Sequence, residues 1–158
     1  MTDTPQSSVE ELSALDRAID FDHFGHAEAW EVGQRVVAIA NQRKVAVTAA
    51  IWLGEQRVFH VGMAGTSADN DHWMERKAAL VRRYDSSSWL TTQRLREYGI
   101  TEALPMLGLD PQVHSLSGGG FPIRVHGTTV GVAVVSGLTD QIDHDICVAA
   151  LRGQMSPA

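Results

Sequence analysis

Seven histidines, a single cysteine and several paired basic residues are what this 158-residue chain offers for chemistry. His60 sits in the run Phe59-His60-Val61, so a strand there would point the imidazole away from both apolar neighbours. A neutral imidazole so placed can ligate a metal or exchange a proton near neutral pH. A histidine held by a hydrogen bond at a sheet or subunit surface would show the same spacing. His144 follows Asp143 early in a terminal helical stretch. Pairing with a carboxylate, or a solvated helix face, accounts for it as well as ligand contact does. His23 and His26 have a separation compatible with a metal, but no cysteine or third histidine clusters with them. Structural zinc wants four well-placed ligands, so no dedicated zinc site is expected.

Arg76, Lys77, Arg82 and Arg83 concentrate positive charge on one helical stretch. Guanidinium groups pair bidentately with carboxylates, so such a face could hold an acidic ligand. A solvated face, or ion pairs with Glu75 and Asp85, is the competing reading. Gly118-Gly119-Gly120 follows Ser117 and leads into Phe121-Pro122-Ile123, a strand start, without the lysine and hydroxyl residue of a phosphate loop. It is expected to be the most flexible backbone in the chain, able to approach a planar ligand or a neighbouring subunit. Gly65-Thr66-Ser67 offers N–H groups at a helix start, to an anion or simply to capping side chains. Cys147, among Ile146, Val148 and Ala149, reads as a buried inert thiol, and no nucleophile–base pairing is visible.

The elements that must position these residues follow from periodicity. Val9, Leu12, Leu15 and Ile19 recur at helical steps over 9–19, and Ala29, Val32, Val36 and Ala40 do so over 27–42, with Gly33 as a weak point. Residues 45–53 and 57–63 read as strands joined by a glycine-containing connection at Gly54-Glu55-Gln56. One long or broken helix is expected over 70–98, with Asp85-Ser86-Ser87-Ser88 as the place where it could break and Gly99 as its end. After a helical turn near 102–107, strands at 121–125 and 129–136 bracket His126-Gly127-Thr128, and a last helix spans 140–153. This order predicts an α+β domain with an antiparallel sheet rather than alternating βαβ units. Residues 9–153 form one domain in this reading, with flexible ends at 1–8 and 154–158.

Composition narrows the classes. With 44% hydrophobic and 20% charged residues the chain falls in the ordinary globular range. Thirteen basic against 19 acidic residues give a net charge of −6, which opposes association with nucleic acid or anionic membrane. No apolar run approaches the roughly 20 residues of a membrane-spanning helix. One cysteine excludes an internal disulfide framework, and the start carries no signal-like apolar stretch, so a cytoplasmic location is expected.

Three segments carry a resemblance that spans nearly the whole chain. Residues 58–77, VFHVGMAGTSADNDHWMERK, residues 118–125, GGGFPIRV, and Val135-Ser136-Gly137-Leu138 followed by Asp143-His144 resemble an uncharacterised branch of the heme-degrading-domain (GlcG/HbpS-like) family. The resemblance implies a central antiparallel sheet with helices on both faces in a profilin-like layout, and assembly into homo-oligomers. It further implies a small binding protein for heme or a related anionic ligand. The matching positions are His60, Arg76, Lys77, Gly118, Gly119, Gly120 and His144, with His60 as the heme iron ligand. A structural or adaptor homo-oligomer and an oxygen-dependent heme-degrading enzyme are the alternatives. Two departures stand out: Ala64 replaces the usual proline, and Ser117 replaces a histidine that usually precedes the paired glycines, which removes a potential iron ligand. His114, three residues earlier, could substitute only by a shift of the loop. If the resemblance holds, His60, the glycine triplet and the Arg76/Lys77 helix should share a cleft.

Overall fold

A strand covered on both faces needs apolar side chains in both directions, and Thr48–Leu53 (β1), TAAIWL, supplies them. Ala49 and Ile51 face one layer of the protein while Ala50 and Trp52 face the other. In the computed structural model, which describes residues 7–155, β1 pairs antiparallel with Gln56–Gly62 (β2) and with Thr128–Ser136 (β4). Gly120–Val125 (β3) closes the order β2-β1-β4-β3, so β2 and β3 are the edges. The fold is α+β, as the order of elements predicts. Most of the two expected flexible ends, 1–8 and 154–158, lies outside the described residues. Ser8 caps the first helix and Gln154 belongs to the last.

Among the described residues five α-helices flank the sheet. His26–Arg43 (α2) and Asp140–Gln154 (α5) cover the face of Ile51, Phe121 and Val135, with Val32, Val36, Ile146 and Leu151 in the shared core. Each such fully buried side chain contributes about 1.5–3 kcal/mol relative to exposure. Ala68–Tyr84 (α3) covers the opposite face through Met74, Ala78 and Val81. Gly33, the weak point of α2 in sequence, is there for packing, because a Cβ would stand 2.4 Å from the Phe59 ring.

Of the two alternatives for 70–98, one long helix or a broken one, the structure has the broken one. Asp85 takes a left-handed conformation (φ 50°), and Ser87 caps Ser88–Glu97 (α4) by accepting the Leu90 N–H. Val9–Ala18 (α1), started by the reciprocal Ser8/Glu11 cap, packs on α4 around Leu12, Trp89 and Leu90. Buried Asp16 clips this pair to the corner by accepting the Ser87 N–H at 2.6 Å. Burial raises the Asp16 carboxyl above its ordinary range, and that hydrogen bond opposes the rise.

Candidate functional site

The residues singled out in sequence separate into two groups on the α3 side of the sheet, with His144 apart on α5. His60 projects from edge strand β2, opposite Ala50, and lies within reach of the first turns of α3. Its Nε2 is 2.9 Å from Asp71 Oδ1, with the two side chains 37% and 36% exposed. An ionised carboxylate only accepts, so Nε2 donates in this contact, which leaves the lone pair of the neutral ring on Nδ1. Carboxylate-anchored imidazoles of this kind recur among metal ligands, where the anchor fixes ring orientation and tautomer. Beside His60 an open groove of about 480 Å³ runs between β2 and α2, lined by Trp30, Val37, Ala38, Phe59 and Val61. Trp30 is 57% exposed at its rim and stands edge-on to Phe59 with ring centroids 5.7 Å apart.

The second group is buried. Lys77, expected on a basic helix face, is only 2% exposed, and its ammonium donates to Asp143 Oδ2 at 2.9 Å and to the Val135 carbonyl at 3.1 Å. Asp143 also accepts the Leu138 N–H, which ties α5 to the end of β4. Burial lifts the Asp143 carboxyl above the usual carboxylate range, against the lowering by Lys77 and the hydrogen bonds. Arg76 donates to the Pro111 carbonyl and stacks on Trp73 at 4.1 Å, so it is held by this chain's own groups.

The glycine triplet, expected to be the most flexible backbone, is instead among the most tightly enclosed. All three residues are buried. A Cβ at Gly118 would lie 2.2 Å from the Asp140 carbonyl oxygen, and one at Gly120 would lie 2.8 Å from Val81 Cγ2. At Gly119, where φ is 122°, it would meet the Val135 carbonyl oxygen at 2.2 Å and the Lys77 ammonium at 3.1 Å. The glycines are required because β3, β4, α3 and α5 converge there, not because the loop moves.

His144 is 2% exposed, next to Phe121, and neither ring nitrogen has a hydrogen-bond partner among the described residues. Burial drives its pKa down to about 4, with Asp145 pulling the other way, so the ring is neutral at pH 7. Cys147 is buried as the sequence suggests; burial pushes its thiol up to about 12, and it donates weakly to the Ala133 carbonyl.

Within the protomer, Lys77 and the glycine triplet therefore come together, while His60 lies on the other flank of α3. Asp71, Asp143 and the groove residues Trp30 and Phe59 were not selected by sequence reasoning. Trp30 left a trace there: it falls off the Ala29, Val32, Val36, Ala40 stripe, where an aromatic has no core to fill. Among the described residues no helix is long and apolar enough to cross a membrane.

The sheet between two helical layers, with an apolar groove along an open edge strand, defines a small α+β protein of the profilin-like kind. The family model "Haem degrading protein HbpS-like" matches residues 24–152, and the chain belongs to that family. It is 39% identical over 150 residues to a UPF0303 protein of Streptomyces avermitilis, covering 94% of this chain and 91% of the relative. Among solved structures it resembles the Ybr137w protein, with a TM-score of 0.84 at 20% identity over 95% of this chain and 88% of that one. It also resembles a PduOC:heme complex, with a TM-score of 0.69 at 17% identity over 82% of this chain and 93% of that one.

Proposed function

We propose that this protein binds heme, or a comparable flat apolar ring bearing acidic groups, in the groove between α2 and β2, with His60 as the iron ligand. The observation that carries the reading is His60 itself: half-exposed, anchored through Nε2 by Asp71, and set at the edge of an apolar groove with an exposed indole. Such a surface suits one face of a planar ring, since apolar area removed from water supplies about 25 cal/mol per Å². Family membership and the heme-bound relative in fold support the same reading. Bound heme would supply redox-active iron; the chain would supply an oriented imidazole, an apolar wall and exclusion of water from one ring face. In this reading Lys77, paired with Asp143, and the buried glycine triplet hold the fold and stand outside the ligand set.

Titrating the protein with heme and following the Soret band tests the reading. A saturable, shifted band that His60→Ala alters is the expected result. No shift at stoichiometric heme would remove the ligand, and an unchanged spectrum in His60→Ala would remove the ligating residue.

A second reading rests on the unpaired edge of β2, which leaves backbone donors and acceptors open beside Trp30. Homo-oligomerisation of a cytoplasmic protein through this edge would cover both. Sedimentation of the intact chain against Trp30→Ala checks it: a mass that falls in the variant supports the interface.

A further inference from the structure

Buried hydroxyls in this protein are satisfied almost everywhere. Ser86 bonds Thr91, Ser115 bonds Ser117, Ser87 and Ser88 accept the N–H groups of Leu90 and Gly120, and Thr92 donates to the Ser88 carbonyl. Thr48, beside Ser136, breaks the pattern. The two are 1% and 3% exposed and direct cross-strand partners on β1 and β4; the Thr48 hydroxyl is buried with no hydrogen-bond partner among the described residues, while Ser136 borders a cleft. A buried unpaired hydroxyl costs about 1–3 kcal/mol, so Thr48 calls for a further polar group close by.

That group has a place to sit. Ser136 lines a cleft of about 250 Å³ between the N-terminal turns of α3 and α5, walled by Asp69, Trp73, Lys77, Ser117 and Asp140. Its volume lies below the roughly 300–1,000 Å³ of sites for drug-sized ligands, and it is a different place from the α2/β2 groove. The Lys77 and Asp143 charges cancel at 2.9 Å. Asp69 and Asp140 then bring two carboxylates to the mouth of the cleft, with Arg96 3.7 Å from Asp140 and Arg76 stacked on Trp73 as the nearby counter-charges. Asp69 accepts the Trp73 indole N–H through one oxygen, Oδ2. The free groups are therefore mostly acceptors: carboxylate oxygens and serine oxygens.

We infer that this cleft is a second binding site, for a small molecule without negative charge that presents several O–H or N–H donors, as polyols and aliphatic amines do. One donor reaches Ser136 at the floor and others reach the Asp69 and Asp140 carboxylates at the mouth. Phosphate and carboxylate ligands are repelled by those same oxygens.

Two-dimensional NMR of the intact protein, following the Trp73 indole N–H and the Gly137 amide, tests the inference with D-glucose, ethanolamine and inorganic phosphate as separate probes. Saturable shifts with glucose or ethanolamine and none with phosphate are expected, and whichever of the two saturates identifies the donor as hydroxyl or ammonium. Ser136→Ala should weaken binding about tenfold, the equivalent of one lost hydrogen bond. Asp69→Asn, at an exposed position, should weaken it independently of any folding defect at Ser136. Absence of saturable shifts with both donors, equal binding of phosphate, or unchanged affinity in both variants would overturn the site. His60→Ala leaves these shifts intact, so failure here is separable from failure of the heme reading.

Discussion

The β2 edge and the junction of β3, β4 and α5 both contain residues that match the same family, and they are built in opposite ways. At the edge, His60 and Trp30 face solvent, and among the described residues His60 is tied by one half-exposed carboxylate. At the junction, Lys77, Asp143 and three glycines are buried against one another with their main polar groups satisfied. His60 and Lys77 fall within a single matching stretch of sequence, 58–77. A shared motif therefore does not separate residues that keep the fold from residues free to meet a ligand. Exposure and prior pairing do.

Substitutions at the junction should damage folding more than any at the edge. The largest effect is expected from Gly119→Ala, which forces a Cβ into a left-handed position 2.2 Å from the Val135 carbonyl oxygen. A loss on the order of 5 kcal/mol follows from combined strain and overlap, read from urea unfolding. Gly127→Ala, at φ 78° with open space around it, is the control and should lose only about 1 kcal/mol. Equal losses at the two positions would show that backbone angle alone, and not the close approach, sets the demand for glycine.

Next in size is the buried ion pair. Lys77→Met leaves Asp143 buried and deprived of its main partner, which should cost about 4 kcal/mol. The double variant Lys77→Met/Asp143→Leu removes both charges and should recover more than half of that loss. A double variant no better than the single would mean that the pair's hydrogen bonds to Val135 and Leu138 matter more than its charges.

These cases also mark where sequence reading stops. Helices α1, α2 and α5, the four strands and the break after Tyr84 are legible because each is written in local periodicity, caps or turn residues. The enclosure of Lys77 is not, because its carboxylate partner lies 66 positions away and a basic residue near Arg76, Arg82 and Arg83 looks like one more solvated cation. Three consecutive glycines likewise spell freedom locally, while the carbonyls that crowd them belong to Val135 and Asp140. The edge site was half legible: alternation picks out His60, but nothing near it in sequence brings Trp30 alongside Phe59.

His144 extends the contrast to pH. Its folded pKa of about 4 lies below the ordinary 6.5, so the unfolded chain binds a proton that the folded one refuses. The stability it contributes is complete above pH 6.5 and is lost as pH falls through 4, a change of about 3 kcal/mol. Urea midpoints measured from pH 7 to pH 4 should fall less steeply in His144→Leu than in the unaltered protein. Parallel curves would show that the ring gains a proton-accepting partner when the protein is in solution.

The smallest effect on folding belongs to the residue assigned the largest role in binding. His60 and Asp71 are each more than a third exposed, so solvent screens their attraction, and His60→Ala should change stability by no more than about 0.5 kcal/mol. The same substitution should abolish the shifted Soret band of the heme complex, whereas Gly127→Ala, at another exposed position, should leave it intact. A loss of several kcal/mol in His60→Ala would place this histidine with Lys77 among the groups that hold the fold. Its match to the family would then need no ligand to explain it.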